Sequence, residues 1–290
     1  MIANRTFFLV IGIFWKIFSC FCFALINILV RFLSGGSNIE IEYPLSIYNI
    51  MFFQNLIVIV VLIPFFLFKE FNTKYALLHS FRIFFASLGM FFFYLSLKFM
   101  PITKVIILNF FGPALTIFIS NIFIKEKITL RKIFVFFIMF VGIFLVINFK
   151  DIVFLNLNYF FYPLISSFFF AFDKIFSKRI MILENNSILL GFYLFLFTIP
   201  FYFTLVVLNG INNFNICNFI FLFFLSVLTI LAHYSFNKAF FYIEVMILVP
   251  YGVSKFIISA LAEYLIFNDD LKVFGLFIGF TVLLFSVFLL

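Results

Sequence analysis

The chain has 290 residues, 67% hydrophobic and 10% charged, with a formal net charge of +8 and a mean hydropathy of +1.31. A soluble domain carries about 25% charge, so a water-facing surface cannot be built from this composition. The basic excess matches the Lys and Arg bias of cytoplasmic loops rather than a nucleic-acid footprint, and the expected surroundings are a lipid bilayer. Phe supplies 58 residues, more than an ordinary core requires, so no single Phe is read as chosen for function.

A hydrocarbon layer about 30 Å thick takes roughly 20 helical residues to cross, and ten apolar stretches of that order follow one another. The first, Phe7–Val30, carries Trp15 and Lys16 and is too long for a cleavable signal core. Pro44–Phe68, Ala76–Leu97, Thr103–Ile124 and Ile133–Asn148 complete a first set. Asn158–Phe176, Ile188–Leu208, Cys217–Phe236, Val245–Phe267 and Val273–Leu290 form a second, the eighth span being interrupted by His233. None alternates with period two, which argues against a barrel. Helices satisfy their own backbone polar groups in lipid. The expected fold is all-α integral membrane with ten transmembrane helices.

Placing the N-terminus in the cytoplasm puts twelve of the 19 Lys and Arg residues on the inner side. Five, among them Arg31, then lie on the outer side, and Lys16 and Lys255 lie within spans. This bias predicts cytoplasmic N- and C-termini. The connections are short, the longest being Arg31–Tyr43, which leaves no room for a soluble catalytic domain. Cys20, Cys22 and Cys217 lack metal or redox spacing and read as small hydrophobes. The two histidines, with His79 read as a loop residue, build no ordinary metal site. Glycine-rich phosphate loops and a Ser/His/Asp set are missing, so no catalytic residue, metal or cofactor is expected, and the chain reads as a non-enzyme.

The two sets resemble each other. Phe111-Gly112-Pro113 leads through an apolar run to Lys125-Glu126-Lys127 and then to a helix containing Gly142. Val249-Pro250-Tyr251 leads likewise to Asn268-Asp269-Asp270 and a helix containing Gly279. An odd number of spans per half makes the halves enter the membrane in opposite senses. Two inverted five-helix repeats, 7–149 and 158–290, are expected, with a substrate site at their interface.

These features resemble the drug/metabolite transporter superfamily, specifically proteins with two EamA-type repeats. The resemblance rests on Arg82 opening the third span, Gly89-Met90, Leu97 to Ile102, and Pro113 thirteen residues before Glu126. In the second half it rests on Lys238-Ala239-Phe240, Val249-Pro250-Tyr251 and Phe267-Asn268-Asp269. Asp269 stands where the family usually has Glu, and Ala232 occupies the place matching Gly89. The run Arg82 to Met90 and the Pro250-Tyr251 pair are also similar to the S-adenosylmethionine uptake carriers of intracellular bacteria. The resemblance implies a bacterial cytoplasmic (inner) membrane location and ATP-independent transport of a small metabolite by alternating access, S-adenosylmethionine uptake or exchange being one reading. It leaves an amino-acid or drug exporter of the same superfamily as an alternative. A polytopic enzyme acting on lipid is the alternative from another class.

Charge at membrane depth nominates the substrate-binding residues. Lys255 and Glu263 lie eight apart in the ninth span with Ser259 between them, a spacing that keeps all three on one helical face. A central Lys or Asp costs roughly 2.5–3.5 kcal/mol on insertion scales, which implies a wet or paired environment. Lys16 is expected to snorkel to the inner interface beside Trp15. Asn27, eleven residues on, shares its face, and Asn109 is a further amide able to bond a ligand or a neighbouring helix. His233 and Asn237 occupy the eighth span, and Asp173 stands beside Lys174 near the inner end of the sixth. Tyr94 and Tyr251 offer ring faces to a cationic or aromatic cargo. The S-adenosylmethionine resemblance adds roles for Glu263, Asp173 and Tyr251, which would meet adenine, sulfonium and amine. The expected partner is a small molecule, with or without a coupling ion or counter-substrate.

Overall fold

The computed structural model describes residues 2–36, 43–66, 73–109, 111–125, 157–212, 214–248 and 250–267, with isolated positions between 129 and 141. Every regular element among them is helical. In chain order these are α1 (Ile2–Leu33), α2 (Ile47–Phe66), α3 (Ala76–Phe99), α4 (Ile102–Asn109) and α5 (Phe111–Ile124). There follow α6 (Leu157–Glu184), α7 (Ser187–Asn209), α8 (Ile216–Tyr242), the single turn α9 (Val245–Leu248), a 3-10 turn at Pro250–Gly252, and α10 (Val253–Ile266). Five are long and apolar enough to cross a bilayer: Phe7–Leu33, Ile47–Phe65, Ala76–Phe99, Ser187–Asn209 and Ile216–Tyr242. The chain is a multi-pass membrane protein.

Three sequence expectations need correction. The eighth span is not interrupted at His233; α8 runs through it unbroken. His79 is no loop residue, because α3 begins at Ala76 and buries it one turn in. Arg31 does not open an outer loop, since α1 continues to Leu33 and the side chain is buried. In both latter cases a polar partner on another helix, unseen in the sequence, makes burial tolerable. The fifth and tenth spans, and with them Glu126, Asp269, Gly142 and Gly279, lie outside the described residues or at isolated positions.

One span is broken where the sequence supplies a reason. The ninth divides at Pro250–Gly252, where a proline without an N–H precedes a glycine. Broken helices at membrane depth place backbone groups beside a cavity rather than lipid.

The helices pair in a crossed manner. Helix α1 packs along α8 and α3 along α6, while α2 packs against α7. The α3–α6 seam consumes much of the phenylalanine: Phe85 stacks on Phe172 at 4.8 Å and on Phe176 at 5.8 Å, and Phe92 stacks on Phe169 at 6.2 Å. Without a hydrophobic driving force between lipid-immersed helices, such ring contacts and close packing hold the pair. Gly89 permits the approach, since a Cβ there would lie 2.8 Å from the Phe170 ring. Phe7, Phe14 and Phe21 of α1 remain exposed on the outer face of the bundle, where lipid would meet them.

Candidate functional site: a central cavity

A cavity of about 160 Å³ lies where α1, α3, α4, α6, α8 and α10 converge. One water needs about 10–15 Å³ on the same measure, so this space holds a small solute or several waters. Helix α1 contributes Lys16, Cys20, Phe23 and Asn27, a stripe at spacings of four, three and four that keeps to one face. Across from it stand Tyr94 of α3, Asn109 of α4, Asp173 and Lys174 of α6, Thr229 and His233 of α8, and Lys255 of α10.

Each polar side chain is held by a neighbour or left facing the space. The Tyr94 hydroxyl donates to Gln54 Oε1 at 3.0 Å, and Gln54 Nε2 donates to Thr229 Oγ1 at 2.6 Å. That chain ties α3 to α8 through α2. Asn109 Nδ2 donates to the Pro163 carbonyl and to Ser166 Oγ, both at 3.2 Å, and Ser166 in turn donates to the Gly89 carbonyl. His233 sits edge-on between Phe23 and Phe195, with ring centroids at 5.3 and 5.1 Å. Among the described residues its Nδ1 has no hydrogen-bond partner, and neither does Asn27 Nδ2. Lys16 Nζ lies 4.8 Å from the Phe236 ring centroid, and Lys255 Nζ lies 5.0 Å from that of Phe93. Lys16 therefore lines the cavity rather than reaching for the interface; α1 turns it toward Phe236.

Ionic groups tie helices together on either side of this space. One turn beyond Asn27, Arg31 Nη1 meets Glu263 Oε1 at 3.3 Å and donates to the Met100 carbonyl at 2.7 Å. Glu263 also receives the N–H groups of Ile102 and Thr103 and the Thr103 hydroxyl, so it caps the N-terminus of α4 from α10. A carboxylate there complements the exposed donors and the helix dipole. At the α6 wall, Arg82 Nε lies 3.3 Å from Asp173 Oδ1 and donates to Ser177 Oγ at 2.7 Å, while Arg82 Nη1 donates to the Leu190 carbonyl. Nearby, Lys178 Nζ donates to the carbonyls of Phe240 and Ile243.

Of the residues nominated from sequence, Lys255, Asn109, Tyr94, His233, Asn27 and Asp173 share the cavity. Glu263, Tyr251 and Asn237 are not among its walls. Glu263 serves the cap and ion pair. Tyr251 is half-buried, its carbonyl accepting from Ser254 Oγ. Asn237 donates to the Ser187 carbonyl at 3.3 Å, joining α8 to α7. Lys16, Lys174 and Thr229 line the cavity without being among the nominated residues. The four–three–four stripe from Lys16 to Asn27 was the available signal for the first. A second groove of about 810 Å³ opens between α3 and α7 near His79 and Tyr193, and it contains none of the nominated residues.

The arrangement can bind a small solute among helices of both sequence halves. Residues 10–148 match the EamA-like transporter family. The EamA-like segment spans α1 to α5 and extends through the predicted fifth span, within the drug/metabolite transporter superfamily. No curated protein matches the chain. Among solved structures 28 chains match. One of them, described simply as "Crystal structure of protein", aligns with a TM-score of 0.69 at 13% identity. It covers 98% of this chain and 96% of its own. At that identity the likeness shows the fold alone.

Proposed function

We propose that this EamA-like protein is an ATP-independent carrier that moves a small metabolite across the membrane by alternating access, with the central cavity as its cargo site. The observation that carries the reading is the cavity itself: unpartnered polar groups and lysines at membrane depth, drawn from α1, α6, α8 and α10, face a common space. Such groups are costly in hydrocarbon and mark solute pathways. The crossed pairing of α1 with α8 and α3 with α6 is the pattern expected of two inverted five-helix repeats, 7–149 and 158–290. Ion pairs on two sides of the cavity supply contacts that a rocking motion would break in turn. Ten spans with both termini in the cytoplasm of a bacterial inner membrane complete the proposal. S-adenosylmethionine is the cargo that the sequence resemblance suggests.

Purified protein in sealed vesicles tests this. Labelled metabolites should enter without ATP, and Met90→Trp, which fills the cavity from α3, should stop them. Entry at the leak rate of empty vesicles across a broad panel of anionic, neutral and cationic metabolites would refute carriage.

A further inference from the structure

We infer that the cavity is built for an anion: a small metabolite with a carboxylate or phosphate head and an apolar or aromatic body. The inference rests on the cavity being the cargo site. Three ammonium groups, Lys16, Lys174 and Lys255, come from three different helices to one space. Lys174 lies within electrostatic reach of both others. None has a carboxylate within ion-pair distance among the described residues. Among the described residues the one carboxylate of the lining is Asp173, and Arg82 already engages it. The donor excess continues beyond charge, because Asn27 Nδ2 is a buried N–H group with no acceptor among the described residues.

Cations gathered away from water repel one another and forgo hydration, a cost repaid when an anion bonds them. The ring faces beneath Lys16 and Lys255 offset part of that cost. They do not use the ammonium protons as acceptors of full charge would. The remaining wall is largely apolar, with Met90, Phe93, Phe170, Phe236 and Phe240. A charged head among the lysines and a hydrophobic body against these rings satisfies both parts. The same charge disfavours a cargo whose net charge is positive, S-adenosylmethionine included.

The test uses the full chain in detergent and in vesicles. Trp15 is the sole tryptophan and the neighbour of Lys16 in sequence, so its fluorescence reports occupancy. The probes are inorganic phosphate, succinate, benzoate, adenosine monophosphate, neutral adenosine and S-adenosylmethionine. At least one anion is expected to shift the fluorescence saturably and to enter vesicles. Lys255→Met and Lys16→Met should each weaken that anion at least tenfold, as loss of a buried charge partner does. Lys255→Arg should retain most of the affinity, and unchanged melting of the Met variants shows that they fold. An anion that binds equally well to the Lys16→Met/Lys255→Met double variant overturns the inference. So does entry of adenosine or S-adenosylmethionine with no anion entering, although carriage then stands if Met90→Trp blocks it. Failure of every probe to bind or enter overturns the anion assignment and, across the broader panel, carriage as well.

Discussion

Arg31 and Glu263, 232 positions apart in sequence, meet at 3.3 Å as a buried ion pair that joins the end of α1 to α10. Glu263 simultaneously caps α4, so one carboxylate fixes three helices one turn beyond the cavity residue Asn27. Neutralising it as Glu263→Gln leaves the Arg31 charge buried beside a weaker acceptor. The melting temperature should fall, by a loss of about 3–5 kcal/mol if the pair behaves as buried pairs generally do. If this contact closes one entrance, the same change should also expose Asn27. In a background with Cys20, Cys22 and Cys217 replaced by Ser, Asn27→Cys should react faster with a membrane-impermeant maleimide once Glu263→Gln is added. Equal labelling rates with lowered melting would make the contact a structural joint and not a gate.

Asp173 faces the cavity yet is engaged by Arg82, which is 1% exposed. Asp173→Asn should cost stability through Arg82, whose charge would then rest on Ser177 and the Leu190 carbonyl alone. Removing both charges, in Arg82→Met/Asp173→Leu, should recover part of the loss, because an apolar pair avoids desolvating two ions. Melting curves of the two single variants and the double variant give the coupling. A double variant no more stable than the sum of its parts would show that the two residues do not act as a pair.

The helices were legible because the apolar runs are long and their breaks coincide with proline and glycine, as at Pro250 and Gly252. Six of nine nominated residues reached the cavity for a related reason: charge and amides inside an apolar span carry a penalty that implies a polar surrounding. What the sequence could not give was the partner. Glu263 and Lys255 share one face of α10, yet Arg31 and the start of α4 claim one while Phe93 lies under the other. Lys16 had the composition of an interface anchor, and the rotation of α1 against α8 alone turned it inward. The partners of Gln54, Tyr94 and Thr229, stand on two other helices, and no local pattern around the amide marks them.

That amide bridge has a measurable consequence. Gln54→Leu removes the acceptor of Tyr94 and the donor to Thr229, bonds that average about 0.6 kcal/mol each in helical membrane bundles. The stability loss should be small, about 1 kcal/mol by thermal melting. Cargo affinity should change more, since Tyr94 and Thr229 both line the cavity and would turn their hydroxyls toward it. A binding isotherm unchanged beside the parent protein would place both residues outside the cargo's reach.

Gly89 and Gly252 should respond to the same substitution in opposite ways. At Gly89 a new methyl would meet Cδ1 of Phe170 at 2.8 Å, and that ring is packed in turn against Phe93 at a centroid distance of 5.9 Å. Overpacking of this kind costs about 1–3 kcal/mol. Because Phe170 is itself a cavity wall, Gly89→Ala should both lower the melting temperature and alter cargo binding. At Gly252 a new Cβ meets nothing within 4 Å among the described residues, and the backbone sits at φ −60°, which any L-residue adopts. Gly252→Ala therefore should not destabilise the protein. Restricting the unfolded chain should instead raise stability by about 0.4–1 kcal/mol. Thermal melts of the two variants side by side decide the matter, and a tolerant Gly89 would mean that α3 and α6 are not held at the separation that shapes the cavity.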